Sequence, residues 1–498
     1  MNITRREFLK ESLAALGFLA LPGGWLFAAP PGWKPQGKPN LVFGVVSDTH
    51  LRTSVKGNGH GAHWPDKYLV AALKYFKEQN VDAVVHCGDM AHRGQTREME
   101  FHAEAWKRVF GKVTEGPVKL FVTGNHDVDG ARYYGFVEKR YPDPVERAKH
   151  VLATDMAANW ERIWGEKYEP VWLKEVKGYR FVGRNWGTSL QDLAEGLKKL
   201  PGGLRAPVFY IQHRRPLAAA RKMLLRRRNV LAFFGHNHWS ASNWNVISLY
   251  QSKLPCIQCA SCEPRGCDKL ERDDWISKAK LRAHGAVGKG RQGYVVRVYD
   301  DKLVIERREF GAGGSLGADW VMPLGKYNPH PFSKGELRKV IGEPQFRTGA
   351  KLVIDNVSTG LTRLTGLSGV PPQTPNPDNP VNPDKKDSAA SAPPRLCVKI
   401  PRADGNPDSR VYAYEVEVAG DESAEKLLKA IYAAGCNLGI GHEPDGGVTT
   451  LEIPKTELPH GKALTVSVTP LTSLGTRGKP LTAEFAFEQD KNKNEGNT

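Results

Sequence analysis

Short apolar runs alternate with amphipathic stretches from about residue 40 to residue 310 of the chain. Two hairpin patterns, at 171–182 and 294–308, add further strands. Strands separated by helices predict an α/β core, and uninterrupted apolar strands predict burial on both faces. The runs of strand length are 41–47, 83–87, 119–123, 208–212 and 230–234, and the stretches of helical period are 67–79, 97–109 and 217–228.

The pattern changes after about residue 335. A short strand pattern at 351–354 precedes a tract rich in proline, aspartate and small residues, which cannot bury enough apolar surface to fold. Period-two alternation then returns and predicts an all-β sandwich, with one helix expected at 424–433. If 351–354 is the first strand of this sandwich, the tract is a loop inside it; otherwise it is a linker, and we favour the loop. The later strand patterns are 396–400, 412–418, 449–453, 464–469 and 481–487.

The segment from Leu458 to Pro470 resembles the late strands of a fibronectin type III domain. Leu464 stands where that family has its corner tyrosine. The resemblance implies an immunoglobulin- or fibronectin-like sandwich at the end of the chain.

The first thirty residues have the features of a targeting segment. Arg5-Arg6 lies within Thr4–Lys10, an apolar stretch at 13–21 follows, and Ala28-Ala29 offers small residues for cleavage. The apolar stretch is shorter than the roughly 20 residues of a membrane-spanning helix, and no later run is long enough either. The segment resembles a bacterial twin-arginine signal, which implies export of the folded protein by the twin-arginine translocase to the periplasm or the medium. The alternative is an ordinary amphipathic first helix.

The net charge of +17 and the pI near 9.4 favour anionic partners, although plain solubility explains them equally well. Phosphate esters, nucleic acid and a negatively charged envelope all fit this charge. The hydrophobic content of 40% is that of an ordinary globular protein. The net charge alone therefore does not indicate which function the protein has.

Seven cysteines are present, and an odd number in an exported protein leaves at least one free thiol. Cys87, in an apolar strand, is predicted to be a buried free thiol. Four further cysteines form a cluster in the sequence. The spacing within this cluster differs from that of the cysteines in bacterial ferredoxins, so disulfides or free thiols are favoured over an iron–sulfur cluster. Its members are Cys256, Cys259, Cys262 and Cys267.

Metal-ligand residue types follow each of the five predicted parallel strands. Because such strands end at the same edge of a sheet, these side chains are expected to meet in one crevice. Oxygen and nitrogen donors together suit manganese, iron, zinc or nickel rather than calcium. Glycines before three of the groups allow tight turns. The groups are Asp48-Thr49-His50, Gly88-Asp89, Gly124-Asn125-His126-Asp127, His213 and Gly235-His236-Asn237-His238.

This ordered series resembles the calcineurin-like metallophosphoesterases, over roughly residues 41–310. The resemblance implies two divalent or trivalent metal ions and a metal-bridging hydroxide that attacks phosphorus. His126 corresponds to the catalytic histidine of the family, and Asp127 is expected to support the site. The implied ligands are Asp48, His50 and His238 for the first ion, Asn125, His213 and His236 for the second, and Asp89 for both.

Position 92 departs from two branches of this family. Purple acid phosphatases have a tyrosine here, and phosphoprotein phosphatases have the aspartate of an Asp-Arg-Gly run, whereas this chain has His92-Arg93-Gly94. The support for His126 is therefore left open. Arg93, together with His60 and His63 in the glycine-rich segment 52–64, is a weaker candidate for substrate binding.

The sequence thus predicts an exported hydrolase of small phosphate mono- or diesters. A nuclease of the same fold and a non-catalytic binding protein of the cell envelope are the alternatives. The predicted fold is a layered α/β domain, a β-sandwich flanked by helices, with a second all-β sandwich after it. The boundaries are 1–29 for the signal, 36–335 for the first domain, 345–490 for the second, 368–394 for its disordered insertion and 491–498 for a tail.

The twin-arginine prediction is tested by changing Arg5 and Arg6 together to lysine. We expect uncleaved precursor to accumulate inside the cell, because the translocase reads the arginine pair. Immunoblots of fractionated cells measure this, with Arg132→Lys/Arg140→Lys as the matched control. Normal export of the Arg5/Arg6 variant contradicts the prediction.

Overall fold

The computed structural model describes residues 27–28, 37–53, 66–200, 206–227, 230–243, 246–250, 254–263, 281–282, 291–324, 343–357, 394–404, 411–436 and 438–486. Several predictions fall outside these residues. They are the twin-arginine motif and apolar stretch of the signal, the candidates His60 and His63, Cys267, nearly all of the proline-rich insertion, and the tail.

The strands of the first region are β1 (Phe27–Ala28), β2 (Leu41–Val46), β3 (Ala83–His86), β4 (Val118–Phe121), β5 (Val171–Val176), β6 (Tyr179–Arg184), β7 (Val208–Gln212), β8 (Val230–Phe234), β9 (Ile247–Tyr250), β10 (Leu254–Gln258), β11 (Leu281–Arg282), β12 (Gln292–Val298), β13 (Lys302–Glu309), β14 (Gly314–Ser315) and β15 (Trp320–Pro323). Its helices are α1 (Lys67–Glu78), α2 (Thr96–Phe110), α3 (Asn125–Val128), α4 (Gly130–Tyr134), α5 (Phe136–Arg140), α6 (Pro144–His150), α7 (Met156–Trp164), α8 (Leu190–Lys198) and α9 (Ala218–Leu225), with a 3-10 turn at Leu152–Asp155.

Two sheets form the centre of this region. The first has the order β1-β15-β13-β12-β2-β3-β4, with β14 beside β13, and its strands β2, β3 and β4 are parallel. The second has the order β5-β6-β7-β8-β10-β9, and its strands β6, β7, β8 and β10 are parallel. The loops after β2, β3, β4, β7 and β8 carry the candidate ligands.

The sheets pack face to face through aromatic side chains. Phe43 of β2 lies edge-on to three phenylalanines of the second sheet, with ring centroids 5.4 Å from Phe181, 5.0 Å from Phe209 and 5.9 Å from Phe233. All four rings are fully buried. Edge-to-face rings at such distances add to the stabilisation from burial, so this contact fixes the spacing of the sheets.

Helices cover the outer face of each sheet. Helices α1, α2 and α7 pack on the first sheet through Phe76, Trp106 and Trp164. Helices α8 and α9 pack on the second through Leu197 and Leu224. The predicted layered α/β fold, a β-sandwich flanked by helices, is confirmed, and the predicted elements agree with the observed ones to within a few residues.

The C-terminal region is all-β, as predicted. Its strands are β16 (Gln345–Phe346), β17 (Val353–Val357), β18 (Arg395–Ile400), β19 (Ala403–Asp404), β20 (Ala413–Gly420), β21 (Lys426–Tyr432), β22 (Thr449–Pro454), β23 (Ala463–Leu471) and β24 (Leu481–Ala486), with 3-10 turns at Pro444–Gly447 and Lys455–Glu457. The sheets have the orders β11-β21-β20-β23-β24, β17-β18-β22 and β16-β19. Strand β17 pairs with β18, so the proline-rich stretch connects two neighbouring strands of one sheet.

The helix expected at 424–433 is wrong, because Lys426–Tyr432 is strand β21. The local sequence Lys-Leu-Leu-Lys-Ala has helical propensity, but β21 pairs along its whole length with β20 and also accepts β11 on its other edge. Tertiary pairing therefore overrides a weak local preference.

The C-terminal sheets contact the first region just beyond the last candidate ligand. Asn243 donates a hydrogen bond of 3.1 Å to the buried Tyr412 hydroxyl. Leu474 packs into the same apolar cluster as Ala241 and Val246. These contacts support the chain segment that follows His238.

The described cysteines are buried and free of disulfides. Cys87 Sγ lies 3.5 Å from Cys259 Sγ between the sheets. Cys256 and Cys262 belong to the apolar clusters on opposite outer faces. Three cysteines in separate clusters cannot share one iron–sulfur centre, which excludes that alternative for Cys256, Cys259 and Cys262.

Among the helices of the described residues, none combines the length and the hydropathy that a membrane-spanning helix needs.

Candidate metal centre

The structure brings all seven predicted ligands together at one end of the two sheets. Each lies within four residues of the end of a buried parallel strand, which places its side chain over the shared edge. Six of them lie in two groups of donor atoms, one containing Asp48, His50 and His238, the other Asp89, His213 and His236, and within each group the donor atoms lie within 4.8 Å of one another.

The backbone is strained where the ligands are held. Non-glycine residues rarely adopt positive φ, yet five of the seven candidate ligands do so. Such strain persists where the surroundings force it, and it is concentrated at functional sites. The φ values are 52° for Asp48, 45° for His50, 58° for Asp89, 78° for His236 and 56° for His238.

Two glycines allow the loops to approach each other. Gly88 has φ of 94°, which favours glycine, and a Cβ there would lie 2.8 Å from the His213 Nδ1 atom. A Cβ on Gly124 would collide with the Asp89 carboxylate. The glycine requirement inferred from sequence therefore has two causes, a left-handed backbone at Gly88 and close packing at Gly124.

The first group surrounds the buried Asp48 carboxylate. Its Oδ1 atom lies 3.2 Å from His238 Nε2 and 3.8 Å from His50 Nε2. The two Nε2 atoms are 3.1 Å apart. Ser47 donates a hydrogen bond of 2.5 Å to Asp48 Oδ2, which orients the carboxylate toward the two rings.

The second group surrounds the amide oxygen of Asn125. Its Oδ1 atom lies 3.0 Å from His213 Nε2 and 3.0 Å from His236 Nδ1. The His213 Nδ1–H donates a hydrogen bond of 2.8 Å to the Cys87 carbonyl. Because a carbonyl only accepts, this bond fixes the tautomer and leaves Nε2 as the ligating nitrogen.

Asp89 stands between the two groups. Its Oδ2 atom lies 3.0 Å from His213 Nε2 and 3.7 Å from His50 Nε2. Its Oδ1 atom accepts a hydrogen bond of 2.8 Å from the backbone N–H of His126. One carboxylate therefore reaches both groups and also positions the residue predicted to be catalytic.

Crowding of these groups shifts their pKa values in opposite directions. Burial and the neighbouring imidazole of His238 lower the pKa of His50 well below its usual range. Burial also opposes protonation of His213, but the Asp89 carboxylate outweighs it and raises the pKa of His213 to about 9. Burial and His213 lower the pKa of His236 to about 4. In this buried site, protonation of His213 is therefore favoured, whereas protonation of His50 and His236 is opposed.

The donor set fits two metal ions. Nitrogen or oxygen donors about 2.0–2.1 Å from one small cation stand roughly 3–3.5 Å apart, as the closest donors within each group do here. A mixed set of imidazole, carboxylate and amide donors suits zinc, iron, manganese or nickel. Bound cations would replace the protons that His213 and His238 otherwise take up.

His126 lies beside the first group. Its ring centroid is 4.5 Å from that of His50, and its Nδ1–H donates 2.7 Å to the carbonyl of His92. The His92 ring stacks on it at 5.1 Å, and His92 Nδ1 lies 3.3 Å from His50 Nδ1. The question left by the absent aspartate at position 92 is thereby answered, since the backbone carbonyl of residue 92 orients His126.

Two buried carboxylates tie the ligand loops together. Asp127 accepts hydrogen bonds of 2.9, 2.8 and 2.7 Å from the N–H groups of Asp89, Gly124 and Ala91. Glu98 accepts a hydrogen bond of 2.7 Å from the backbone N–H of Arg93 and one of 3.3 Å from that of Thr53. Burial raises the pKa of each to about 7, and Asp89 contributes to the shift at Asp127. The sequence indicated a supporting role for Asp127 but gave no signal for Glu98.

A second buried acid, also missed from sequence, lies behind His238. Glu263 Oε2 is 3.8 Å from His238 Nδ1 and its other oxygen pairs with Arg52. Arg52 and Glu263 are both buried. This pair orients the imidazole from the side away from Asp48. Arg52 and Glu263 each follow a strand, but nothing local in the sequence links them.

Of the weaker candidates for substrate binding, the structure describes Arg93, and its side chain has a partner within the protein. Arg93, proposed to contact phosphate, directs Nη1 to the Thr53 carbonyl at 3.3 Å. Arg227, which follows α9, donates hydrogen bonds to the carbonyls of Leu197 and Leu200 at the end of α8 and so has a structural role. Arg214, exposed next to His213, contributes to lowering the pKa of His236 and so lies near the second group.

Asn185 and Trp186 follow β6 directly and are not among the site residues predicted from the sequence. Asn185 Oδ1 accepts 2.7 Å from the Thr123 N–H, which fixes β4 to β6. The Trp186 ring stacks on His236 with centroids 6.1 Å apart. Trp186 comes directly after β6, which lies beside the ligand-bearing strand β7. Its place in the sequence is a signal that could have indicated a role at the site.

Residues 41–240 match the model of the calcineurin-like phosphoesterase family. This part of the chain is a calcineurin-like phosphoesterase domain, and the resemblance identified from the sequence motifs is confirmed to that extent. A search of curated protein sequences gives no significant match.

Several solved structures are similar to this one. A dimetal phosphatase from Danio rerio has 12% identity and a TM-score of 0.32, over 58% of this chain and 100% of that chain. A purple acid phosphatase from yellow lupin (Lupinus luteus) has 10% identity and a TM-score of 0.38, over 57% and 55%. Vps29 complexed with zinc from Entamoeba histolytica has 9% identity and a TM-score of 0.27, over 57% and 100%.

The position of Asp89 is tested by Asp89→Asn. The amide keeps the shape but loses the charge that faces both groups, so we expect metal content and activity to fall together. Elemental analysis of purified protein measures the first, with Asp155→Asn on the surface as the control. Two full metal equivalents in an active Asp89→Asn protein would exclude the bridging role.

Proposed function

We propose that this protein is a two-metal phosphoesterase that hydrolyses phosphate mono- or diesters. The position of Asp89 carries the proposal, because one carboxylate reaches both donor groups. Membership of residues 41–240 in a phosphoesterase family supports it. Phosphate hydrolysis without a covalent nucleophile requires a set of metal-binding donors and a separate proton donor beside them. The buried oxygen and nitrogen donors provide the first, and His126, which is not one of the proposed ligands, provides the second.

The residues that would hold the first ion are Asp48, His50, His238 and Asp89, and those for the second are Asn125, His213, His236 and Asp89. When bound, such a metal pair neutralises phosphate charge and makes water a stronger nucleophile at neutral pH. The chain itself supplies a fixed geometry. The loops are locked by Asp127 and Glu98, so little reorganisation remains when substrate binds.

His126 is proposed as the general acid. Its Nδ1–H is bound to the His92 carbonyl, which assigns Nε2 to proton exchange with the substrate. Its backbone N–H is bound to Asp89, so the ring is fixed relative to both groups. A proton on Nε2 can then pass to the oxygen of the departing alcohol. A set that includes this histidine also favours catalysis over a binding role for the domain.

We also propose that the enzyme is exported. Arg5-Arg6 and the short apolar stretch after it support this, and export in the folded state suits a protein that is loaded with metal before it crosses the membrane. The test is the arginine-to-lysine variant described above.

The role of His126 is tested by His126→Ala. We expect the variant to keep both metals and to lose about 10²–10⁴ in turnover on an alkyl phosphate, the usual scale for a general acid. The loss should be smaller for a nitrophenyl phosphate, whose leaving oxygen needs little protonation. Steady-state kinetics on both substrates and elemental analysis measure this.

The matched control is His150→Ala, which removes an imidazole from α6. An equal loss on both substrates would point to electrostatic stabilisation of the phosphoryl oxygens instead. An unchanged rate on the alkyl ester would remove His126 from the reaction.

A further inference from the structure

Two aromatic side chains share one carboxylate at the border of the metal centre. Asp129 Oδ2 accepts a hydrogen bond of 2.7 Å from Trp186 Nε1 and one of 3.4 Å from the Tyr133 hydroxyl. We call Asp129, Tyr133 and Trp186 the aromatic border. Asp129 stands between α3 and α4, so the border is fixed to the same loop that presents Asn125 and His126.

Trp186 covers the second donor group. Its ring is nearly parallel to that of His236, at an angle of 26° and 6.1 Å between centroids. It lies edge-on to His213 at 5.8 Å. These contacts are within the range of favourable ring pairs. Trp186 therefore packs against two proposed ligands, and part of its role is to position them.

Tyr133 extends the border toward the proposed general acid. Its ring centroid lies 6.3 Å from that of His126, at an angle of 69°. The residue is 56% exposed, although its hydroxyl is bonded. Burial of one edge and the Asp129 carboxylate raise its pKa above the usual value, so the ring is neutral at physiological pH. An exposed ring held at its tip is not accounted for by packing of the core.

The location of Tyr133 relates it to one part of the substrate. If His126 protonates the departing oxygen, the organic group on that oxygen must lie on the His126 side of the centre. Among the ring contacts of His126 described above, the one with Tyr133 is the contact that involves an exposed side chain. The exposed ring is therefore available to a planar group attached to the departing oxygen.

We propose that Tyr133 is a specificity-determining residue that selects phosphate esters of planar, aromatic alcohols. This inference rests on the proposed function, because it uses the position of the departing group. A tyrosine side chain has only two rotatable bonds, so stacking on its ring costs little entropy. Trp186 continues the apolar border toward the second group.

The experiment compares flat and puckered organic groups of similar size. Binding of phenylphosphonate and cyclohexylphosphonate to the metal-loaded protein is measured by calorimetry. In parallel, kcat/KM is measured for an aryl and an alkyl phosphate whose alcohols have matched acidity. The variants are Tyr133→Ala, Tyr133→Phe and, as a matched control, Tyr141→Ala, which removes a tyrosine that stacks on His150 instead.

We expect the wild type to prefer the phenyl compound and the aryl ester. Tyr133→Ala should reduce both preferences about threefold to tenfold, the scale of one ring contact. Tyr133→Phe should keep most of the preference because the ring remains, and Tyr141→Ala should leave it unchanged. Because Tyr133 is exposed, its variants are expected to fold, and thermal unfolding checks this.

Unchanged preferences in Tyr133→Ala overturn the inference, as does a wild type that binds both phosphonates equally. The binding measurement separates this from the proposed function. A protein that prefers phenylphosphonate through Tyr133 but hydrolyses neither ester supports the border and refutes the phosphoesterase activity. A protein that hydrolyses both esters without preference supports the activity and refutes the border.

Discussion

The three hydrogen bonds accepted by the Asp127 carboxylate are the contact on which the site depends most. They join the loop that carries Asp89 to the loop that carries Asn125, at distances of 2.7–2.9 Å. Backbone N–H groups in a strained, buried turn need an acceptor, and leaving one without a partner costs about 1–3 kcal/mol. Asp127 supplies that acceptor for three of them at once. The strained φ of Asp89 and the close approach of Gly124 are possible because this carboxylate holds both backbones in place.

The rest of the site follows from bringing so many donors so close together. Imidazoles 3 Å apart repel each other when protonated, and carboxylates repel each other when ionised. The result is a set of pKa values displaced in both directions, low for His50 and His236 and high for His213. Two cations would satisfy all of these donors together. Glu98 holds the backbone of two neighbouring loops, and Glu263 and the carbonyls of Cys87 and His92 orient the histidine side chains.

Much of this arrangement can be predicted from the sequence, and the remainder has identifiable causes. The parallel strands are buried on both faces, so their apolar runs are continuous, and the ligands follow where each run stops. Glu98 and Glu263 could not be found in this way, because a single acidic residue forms no pattern and its partners are distant in the chain. Trp186 and Tyr133 meet only through the fold, at the carboxylate of Asp129. The expected helix at 424–433 was wrong because strand pairing on both edges outweighs local propensity.

The central claim is that two metal ions share the Asp89 carboxylate, and anomalous diffraction from crystals of the manganese-loaded protein tests it most directly. The account predicts two anomalous peaks about 3.5–4 Å apart, both next to Asp89, one beside Asp48 and the other beside Asn125. A single peak in this crevice, or two peaks of which only one lies next to Asp89, would contradict it.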